Sequence, residues 1–170
     1  MMIGITGTPG TGKTAVAADL ERRGYRVVRL TDTVRPYILE EDRCRDTLVV
    51  DVDRWVEEFE PVDGIVEGHL AHLLPCDLVV VLRCRPDILA ARLAPRSYSS
   101  EKVAENVEAE ALDVILIETL EEHPDEHVLE VDTTALPAAE CADRVERFIR
   151  GELPPSYGAI DWTDYLGTGI

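Results

Sequence analysis

The chain has 170 residues, 45% of them apolar, and a net charge of −17 from 17 basic and 34 acidic side chains. That length fits one domain with a real core, and the apolar share excludes a disordered chain. No apolar run approaches a membrane span, and the acidic excess argues against nucleic-acid binding over the whole surface, which leaves only a local arginine patch for RNA.

Met2-Ile3-Gly4-Ile5-Thr6 opens the chain as a short buried strand. A strand that begins at once leaves no room for a signal peptide, so an intracellular, cytoplasmic protein is expected. Gly7-Thr8-Pro9-Gly10-Thr11-Gly12-Lys13-Thr14 follows and fits G-x-x-x-x-G-K-[ST] at every fixed position. Ala15 to Arg23 then favours helix and is closed by Gly24. Arg26-Val27-Val28-Arg29-Leu30 predicts a second strand. Residues 31–60 are charged and less regular, with a short apolar piece at Thr47–Val50 and a helix expected from Val52 to Phe59. Gly64–Glu67 and Asp77–Leu82 predict the third and fourth strands. Pro86 opens a short helix with Leu89 and Leu93 on one face. Ala94 to Ser99 is a polar connection. The spacing of Val103, Val107, Ala111 and Val114 predicts one long helix from about Ser100 to Glu122. His127–Asp132 predicts the last strand, and Pro137 opens a final helix ending near Gly151. Alternating strands and helices predict an α/β fold with a five-stranded parallel sheet. The tail from Glu152 to Ile170 carries Tyr157, Trp162 and Tyr165, too aromatic for a disordered tail. Its rings are expected to pack back on the domain, with a partner-docking segment as the alternative.

The glycine-rich turn has a definite chemistry. Its backbone N–H groups, with the first turn of the following helix, form an anion cradle over Gly10, Thr11, Gly12, Lys13, Thr14 and Ala15. Lys13 would reach the β- and γ-phosphates, and the Thr14 hydroxyl would ligand magnesium. Ligands in open parallel sheets sit at the C-terminal strand ends. Thr31, Asp32 and Arg35 follow the second strand, Glu67 and His69 end the third, Arg83 and Arg85 end the fourth, and Asp132 and Thr133 end the last. Glu67 is a candidate magnesium carboxylate. His69 has no Cys or His partners at zinc spacing and is a candidate for positioning a nucleophile or water; a purely structural role is equally open.

Only two of the basic residues are lysines, Lys13 and Lys102; fifteen are arginines. This composition suggests a salt-rich cytoplasm, against the alternative of an ordinary acidic protein. Arg35, Arg43 and Arg45 lie in the irregular segment, and Arg92 and Arg96 flank the polar connection, where they could close over phosphates. Cys44, Cys76, Cys84 and Cys141 lack C-x-x-C spacing and are expected to be reduced and mostly buried.

Gly7–Thr14, Thr31–Arg35, Ile38–Arg43, Val66-Glu67-Gly68-His69, Val80–Arg83 and Ala91–Tyr98 together resemble the isoenzyme-6 type of adenylate kinase, also called coilin-interacting nuclear ATPase, in its archaeal branch. With the charge, this points to a halophile. The resemblance runs to about residue 150. It implies a P-loop nucleoside monophosphate kinase core over 1–150, a monophosphate-binding segment over 30–51 and a short lid over 94–103, with the tail at 151–170. ATP and Mg²⁺ would be bound and AMP would accept the phosphoryl group. Lys13, Arg92, Arg96 and His69 would be catalytic, Arg96 would lie on ATP, Asp32, Arg35 and Arg83 would bind the acceptor, and Thr14 and Glu67 would hold the metal. The family also implies ATP hydrolysis and small ribosomal subunit maturation, with a small-subunit ribosomal protein or pre-ribosomal RNA as partner. A monomer is expected. Two positions depart from the family's pattern: Glu67 stands where aspartate is usual in eukaryotes, and Ser97 where a lid glycine is common.

Two functions follow, a phosphotransferase from ATP to AMP and an ATP-driven assembly factor whose kinase activity is incidental. A kinase for another small metabolite stays open, because residues 31–60 build the acceptor pocket. A GTP switch is rejected, since neither lysine stands in an Asn/Thr-Lys-x-Asp loop.

Overall fold

A computed structural model describes residues 1–42 and 47–167. Arg43, Cys44 and Arg45 lie outside the described residues.

The elements in chain order are β1 (Met2–Thr6), α1 (Lys13–Arg22), β2 (Val27–Arg29), α2 (Leu30–Thr33), β3 (Ile38–Asp42), β4 (Thr47–Val50), α3 (Val52–Glu58), β5 (Gly64–Glu67), β6 (Leu78–Arg83), α4 (Pro86–Leu93), α5 (Ser100–Ala111), α6 (Val114–Glu122), β7 (Val128–Asp132) and α7 (Ala138–Ile149). Five strands form one parallel sheet in the order β2-β5-β1-β6-β7. This is the α/β fold with a five-stranded parallel sheet that the alternating pattern predicts. The register brings the strand ends level: Ile5 and Arg29 pair with Glu67, Thr6 with Val81, and Arg83 with Asp132.

Near-continuous apolar strands are needed because both faces of the sheet are covered. Successive side chains point to opposite faces. Ile3, Ile5, Val80 and Leu82 join Leu20, Val145 and Phe148 in one layer under α1 and α7. Met2, Val66, Val79 and Val81 join Trp55, Leu74 and Leu116 in the other. A third small cluster of Cys84, Leu89 and Leu93 sits under α4, with Tyr98 and Val103 against it.

The structure corrects three sequence expectations. The second strand is shorter than Arg26–Leu30, because Leu30 already starts α2 and is buried. The irregular segment contains an antiparallel hairpin, β3 with β4, whose register shifts between Ile38 and Glu40. The long helix from Ser100 to Glu122 is two helices. It breaks at Asp113, which has φ of 57°, a left-handed conformation that aspartate tolerates better than most residues. The cause is non-local: the Asp113 carboxylate is drawn onto the buried Arg83 guanidinium.

Beyond α7, the tail lies alongside β7. Glu130 N–H donates to the Ser156 carbonyl at 2.7 Å and Ser156 N–H to the Val128 carbonyl at 3.1 Å. Tyr157 packs on the second apolar layer, and its hydroxyl meets Asp125. The Trp162 and Tyr165 rings meet edge to face, 6.3 Å between centroids. No helix among the described residues is long and apolar enough to cross a membrane.

Leu82 is fully buried on β6, an inner strand of the sheet. Leu82→Ala is expected to cost about 2–5 kcal/mol. Guanidinium unfolding followed by circular dichroism checks this as a lowered midpoint with an unchanged slope.

Candidate functional site

The site grows from the turn between β1 and α1. Gly7, Gly10 and Gly12 have φ of 138°, 96° and 98°, backbone that an L side chain rarely adopts. At Gly7 space forbids a side chain as well, since a Cβ would lie 2.4 Å from the Leu82 carbonyl oxygen. At Gly12 there is open space, so only the conformation asks for glycine. Gly12 caps α1, whose first-turn N–H groups face the same opening.

Lys13 folds back over the turn. Its Nζ donates to the Gly7 and Thr8 carbonyl oxygens at 2.8 and 3.0 Å, and the side chain is buried. Burial pushes its pKa down to about 8, with Arg96 adding to the fall, and Glu67 and Glu110 oppose it. Thr14 Oγ1 donates to Glu67 Oε1 at 3.0 Å, so the loop hydroxyl and the strand-end carboxylate form a pair of hard oxygen donors. Among the described residues, no three His, Cys, Asp or Glu gather to hold a metal. An ion here would therefore take further oxygens from a ligand's phosphates, as Mg²⁺ commonly does.

His69 follows Glu67 on the loop after β5 and keeps solvent contact. Partial desolvation by the protein around it, together with Lys13, His72 and Lys102, pushes its pKa down to about 4, so the ring is neutral at pH 7. Its carbonyl accepts from Thr6 Oγ1 at 3.2 Å. The same hydroxyl meets His72 Nδ1 at 3.0 Å, and His72 Nε2 meets Glu118 at 2.9 Å. This chain of contacts anchors the loop that carries His69.

On the other flank, Thr133 ties β7 to the turn. Its Oγ1 lies 2.8 Å from the Thr11 carbonyl oxygen and 2.9 Å from that of Arg83. Arg92 on α4 reaches the same loop, donating to the Thr133 carbonyl at 2.8 Å and the Thr134 carbonyl at 3.3 Å. A cleft opens between Gly12, Ala15, Arg92, Thr133, Leu136 and Cys141. Arg96 is exposed on the turn between α4 and α5, its guanidinium 5.9 Å from the Tyr98 ring centroid. Lys102 Nζ sits 4.4 Å from the same ring.

Asp32 and Arg35 lie on the rim after β2, exposed and 3.7 Å apart. Gly10, Thr11, Gly12, Ala15 and Arg92 line the cleft. Lys13 lies against the same turn, the Thr14–Glu67 pair stands at its end, His69 and Arg96 are near enough to Lys13 to share its field, and Asp32 and Arg35 follow the end of β2. Arg83 is not brought to that opening. Its guanidinium is buried among Glu110, Glu130 and Asp113 and cannot reach a phosphate without breaking those pairs. Burial would lower its pKa, but Glu110 and its neighbours outweigh that and raise it. Three participants were not read from the sequence as site residues: Glu110, Lys102 and Thr8. Glu110 carried a signal, because it lies three residues after Val107 on the apolar face of α5. The described cysteines, Cys76, Cys84 and Cys141, are free and buried. Burial pushes the Cys76 and Cys84 thiols up to about 12 and about 11, which makes them unreactive.

Residues 3–113 match the family described as an AAA domain. Two curated relatives carry the name "Putative adenylate kinase". One, from Archaeoglobus fulgidus, is 45% identical over 170 residues, covering 98% of this chain and 94% of its own. The other, from Natronomonas pharaonis, is 44% identical over 169 residues, covering 98% of this chain and 100% of its own. Among solved structures, an unliganded sugar kinase from Janibacter superposes with a TM-score of 0.61 at 15% identity, covering 88% of this chain and 94% of that one. At that identity the likeness concerns the fold alone.

The depressed Lys13 pKa gives a pH signature. Its value is about 8 when folded, against 10.5 for the free side chain. Between those values the unfolded chain holds the extra proton, so folding stability rises with pH. The nucleotide-free chain is expected to gain stability from about pH 8 to about 10.5, and Lys13→Met to lack that component. Urea unfolding at stepped pH, wild type against variant, measures the difference.

Proposed function

This chain belongs to the AAA-domain family and, within it, to the archaeal adenylate kinase relatives, and on that premise we propose that it is a nucleoside monophosphate kinase transferring the γ-phosphoryl group of ATP to AMP. The observation that carries the reading is the phosphate loop with its buried Lys13, flanked by two separate arginine groups, one for each nucleotide.

The triphosphate of ATP would lie along the N–H groups of Gly10 to Ala15, its base in the cleft beside Arg92, Thr133 and Leu136. Lys13 would leave the Gly7 and Thr8 carbonyls for the β- and γ-phosphate oxygens, exchanging neutral acceptors for anionic ones. Arg96, on its short turn, would close over the phosphates with Arg92 below it, excluding water that competes as acceptor. Arg35 would hold the AMP phosphate, steadied by Asp32. An oxygen of that phosphate attacks the γ-phosphorus, the bond to the β–γ bridging oxygen breaks, and two ADP leave. The attacking oxygen is already anionic, so no strong base is required. This suits His69, whose neutral ring can orient a group by hydrogen bonding, with one ring nitrogen a donor and the other an acceptor, but carries no charge at pH 7. The Thr14 hydroxyl and Glu67 carboxylate fit magnesium, which when bound would neutralise charge between the β- and γ-phosphates.

The finer parts of the reading rest on the resemblance to the isoenzyme-6 type. They are hydrolysis of ATP by a water held at His69 and Glu67, and a step in small ribosomal subunit maturation with a ribosomal protein or pre-ribosomal RNA. The solvent-facing, neutral His69 beside Glu67 is the feature that favours hydrolysis. A charge of −17 with only two lysines supports a halophilic source and work in a salt-rich cytoplasm. We take the chain to act as a monomer.

ADP formation from ATP and Mg²⁺ in high potassium chloride, with AMP, CMP, GMP or UMP, tests the reading. AMP is expected to stimulate most strongly, and ADP alone to yield ATP. Lys13→Met should lower kcat about 100-fold or more with an unchanged circular dichroism spectrum. Arg35→Ala should raise the KM for AMP about tenfold while sparing that for ATP. Slow phosphate release indifferent to every monophosphate would replace the kinase by an ATPase.

A further inference from the structure

Glu110 sits on α5, the helix that starts at the lid, yet its carboxylate touches the phosphate loop. The side chain is 2% exposed. Oε1 accepts from Arg83 Nε at 2.8 Å and from the Cys84 N–H at 3.0 Å, while Oε2 accepts from Thr8 Oγ1 at 2.6 Å. Thr8 is the second residue of the loop and is itself buried. Its carbonyl oxygen receives Lys13 Nζ at 3.0 Å, Thr11 Oγ1 at 2.9 Å and the Thr11 N–H at 3.2 Å. One carboxylate oxygen thus holds the peptide on which the loop's lysine and its next turn converge.

We propose that Glu110 is a positioning residue that sets the phosphate loop in its nucleotide-receiving shape through Thr8. A glutamate present only to neutralise Arg83 would offer it both oxygens, the strongest arrangement available to such a pair. Here the second oxygen goes to a hydroxyl, and Arg83 has Glu130 and Asp113 besides. Arg83 is then the anchor that fixes Glu110 to the sheet at the end of β6. Thr133, bonding the Thr11 carbonyl at 2.8 Å, holds the loop from its other side. The loop is therefore held from two sides by side-chain hydrogen bonds, from Glu110 on α5 and from Thr133 after β7. The inference rests on the phosphotransferase reading only in taking a nucleoside polyphosphate as the loop's ligand.

The test is titration calorimetry of ADP with Mg²⁺ on the full chain, beside thermal melts, for Thr8→Val, Thr8→Ser, Glu110→Gln and the Thr8→Val/Glu110→Gln double variant. Thr8→Val removes the hydroxyl at nearly constant shape. It is expected to weaken ADP binding about tenfold, with Thr8→Ser restored to the wild-type affinity. Glu110→Gln exchanges a charged acceptor for a neutral amide at the Thr8 hydroxyl and should also weaken binding, and the loss in the double variant should fall short of the sum of the two, because both changes act on one contact. Should Glu110→Gln fail to fold, the two Thr8 variants decide the matter. Thr8→Val binding ADP like wild type, whatever its melting temperature, overturns the proposal while leaving the kinase reading intact. So would losses that add fully in the double variant. A wild-type chain that bound no ADP would overturn both.

Discussion

Everything around the loop follows from one buried ammonium. Lys13 is desolvated, and its hydrogen-bond partners among the described residues are two main-chain carbonyls, with Glu67 and Glu110 acting at longer range. A buried charge paired only with dipoles is expensive. The depressed pKa is the visible part of that cost. The arrangement makes sense as a resting state that a polyanion relieves. On the proposed reading, phosphate oxygens would give the ammonium charged acceptors without further desolvation. The glycines of the loop serve the same end, because positive φ at Gly10 and Gly12 turns N–H groups to the side where the charge must come.

That geometry needs a rigid floor, and the sheet provides it. β1 lies between β5 and β6, so the loop leaves the centre of five parallel strands whose ends are level. Gly7 passes so close to the Leu82 carbonyl that the exit from β1 has one path. Below it, Arg83 gathers carboxylates from α5, from the α5–α6 break and from β7. Buried ion clusters of this kind add little net stability, since desolvation offsets attraction. Their value here is directional: they fix where Glu110 and α5 stand relative to the loop. The tail joins the same cluster, with Gly158 N–H donating to Glu130 at 2.9 Å.

What the sequence made legible was whatever depends on local pattern. The strands announce themselves as apolar runs, and the loop by fixed positions between a strand and a helix. Glu67 beside Thr14 followed from strand-end placement, and the 3.0 Å contact agrees with it. What stayed hidden depends on pairing across the chain. Nothing near Leu112 or Asp113 breaks a helix; the break comes from Arg83, 30 residues earlier. Arg83 looked like a ligand cation for the same reason, because a strand-end arginine reveals its acidic partners only once α5 and β7 are packed. Glu110 looked like one more acid in an acidic chain. The β3–β4 hairpin was obscured because Glu40, Glu41 and Asp42 lack the alternation that marks a half-buried strand.

The distribution of charge sets the last constraint. A protein of net charge −17 repels a nucleotide at long range, yet its site must attract one. The two lysines of the chain meet this need at short range. Lys13 lies within the loop, Lys102 stands beside Tyr98 on α5, and both depress the His69 pKa, so both fields reach that ring. Arg96 joins them by lowering the pKa of Lys13. At about 1 M salt the screening length falls to roughly 3 Å. The repulsion from the acidic surface is then screened, while the short-range contacts of the buried Lys13 are screened much less. An acidic exterior and a short-range cation at the loop are therefore compatible wherever salt is high.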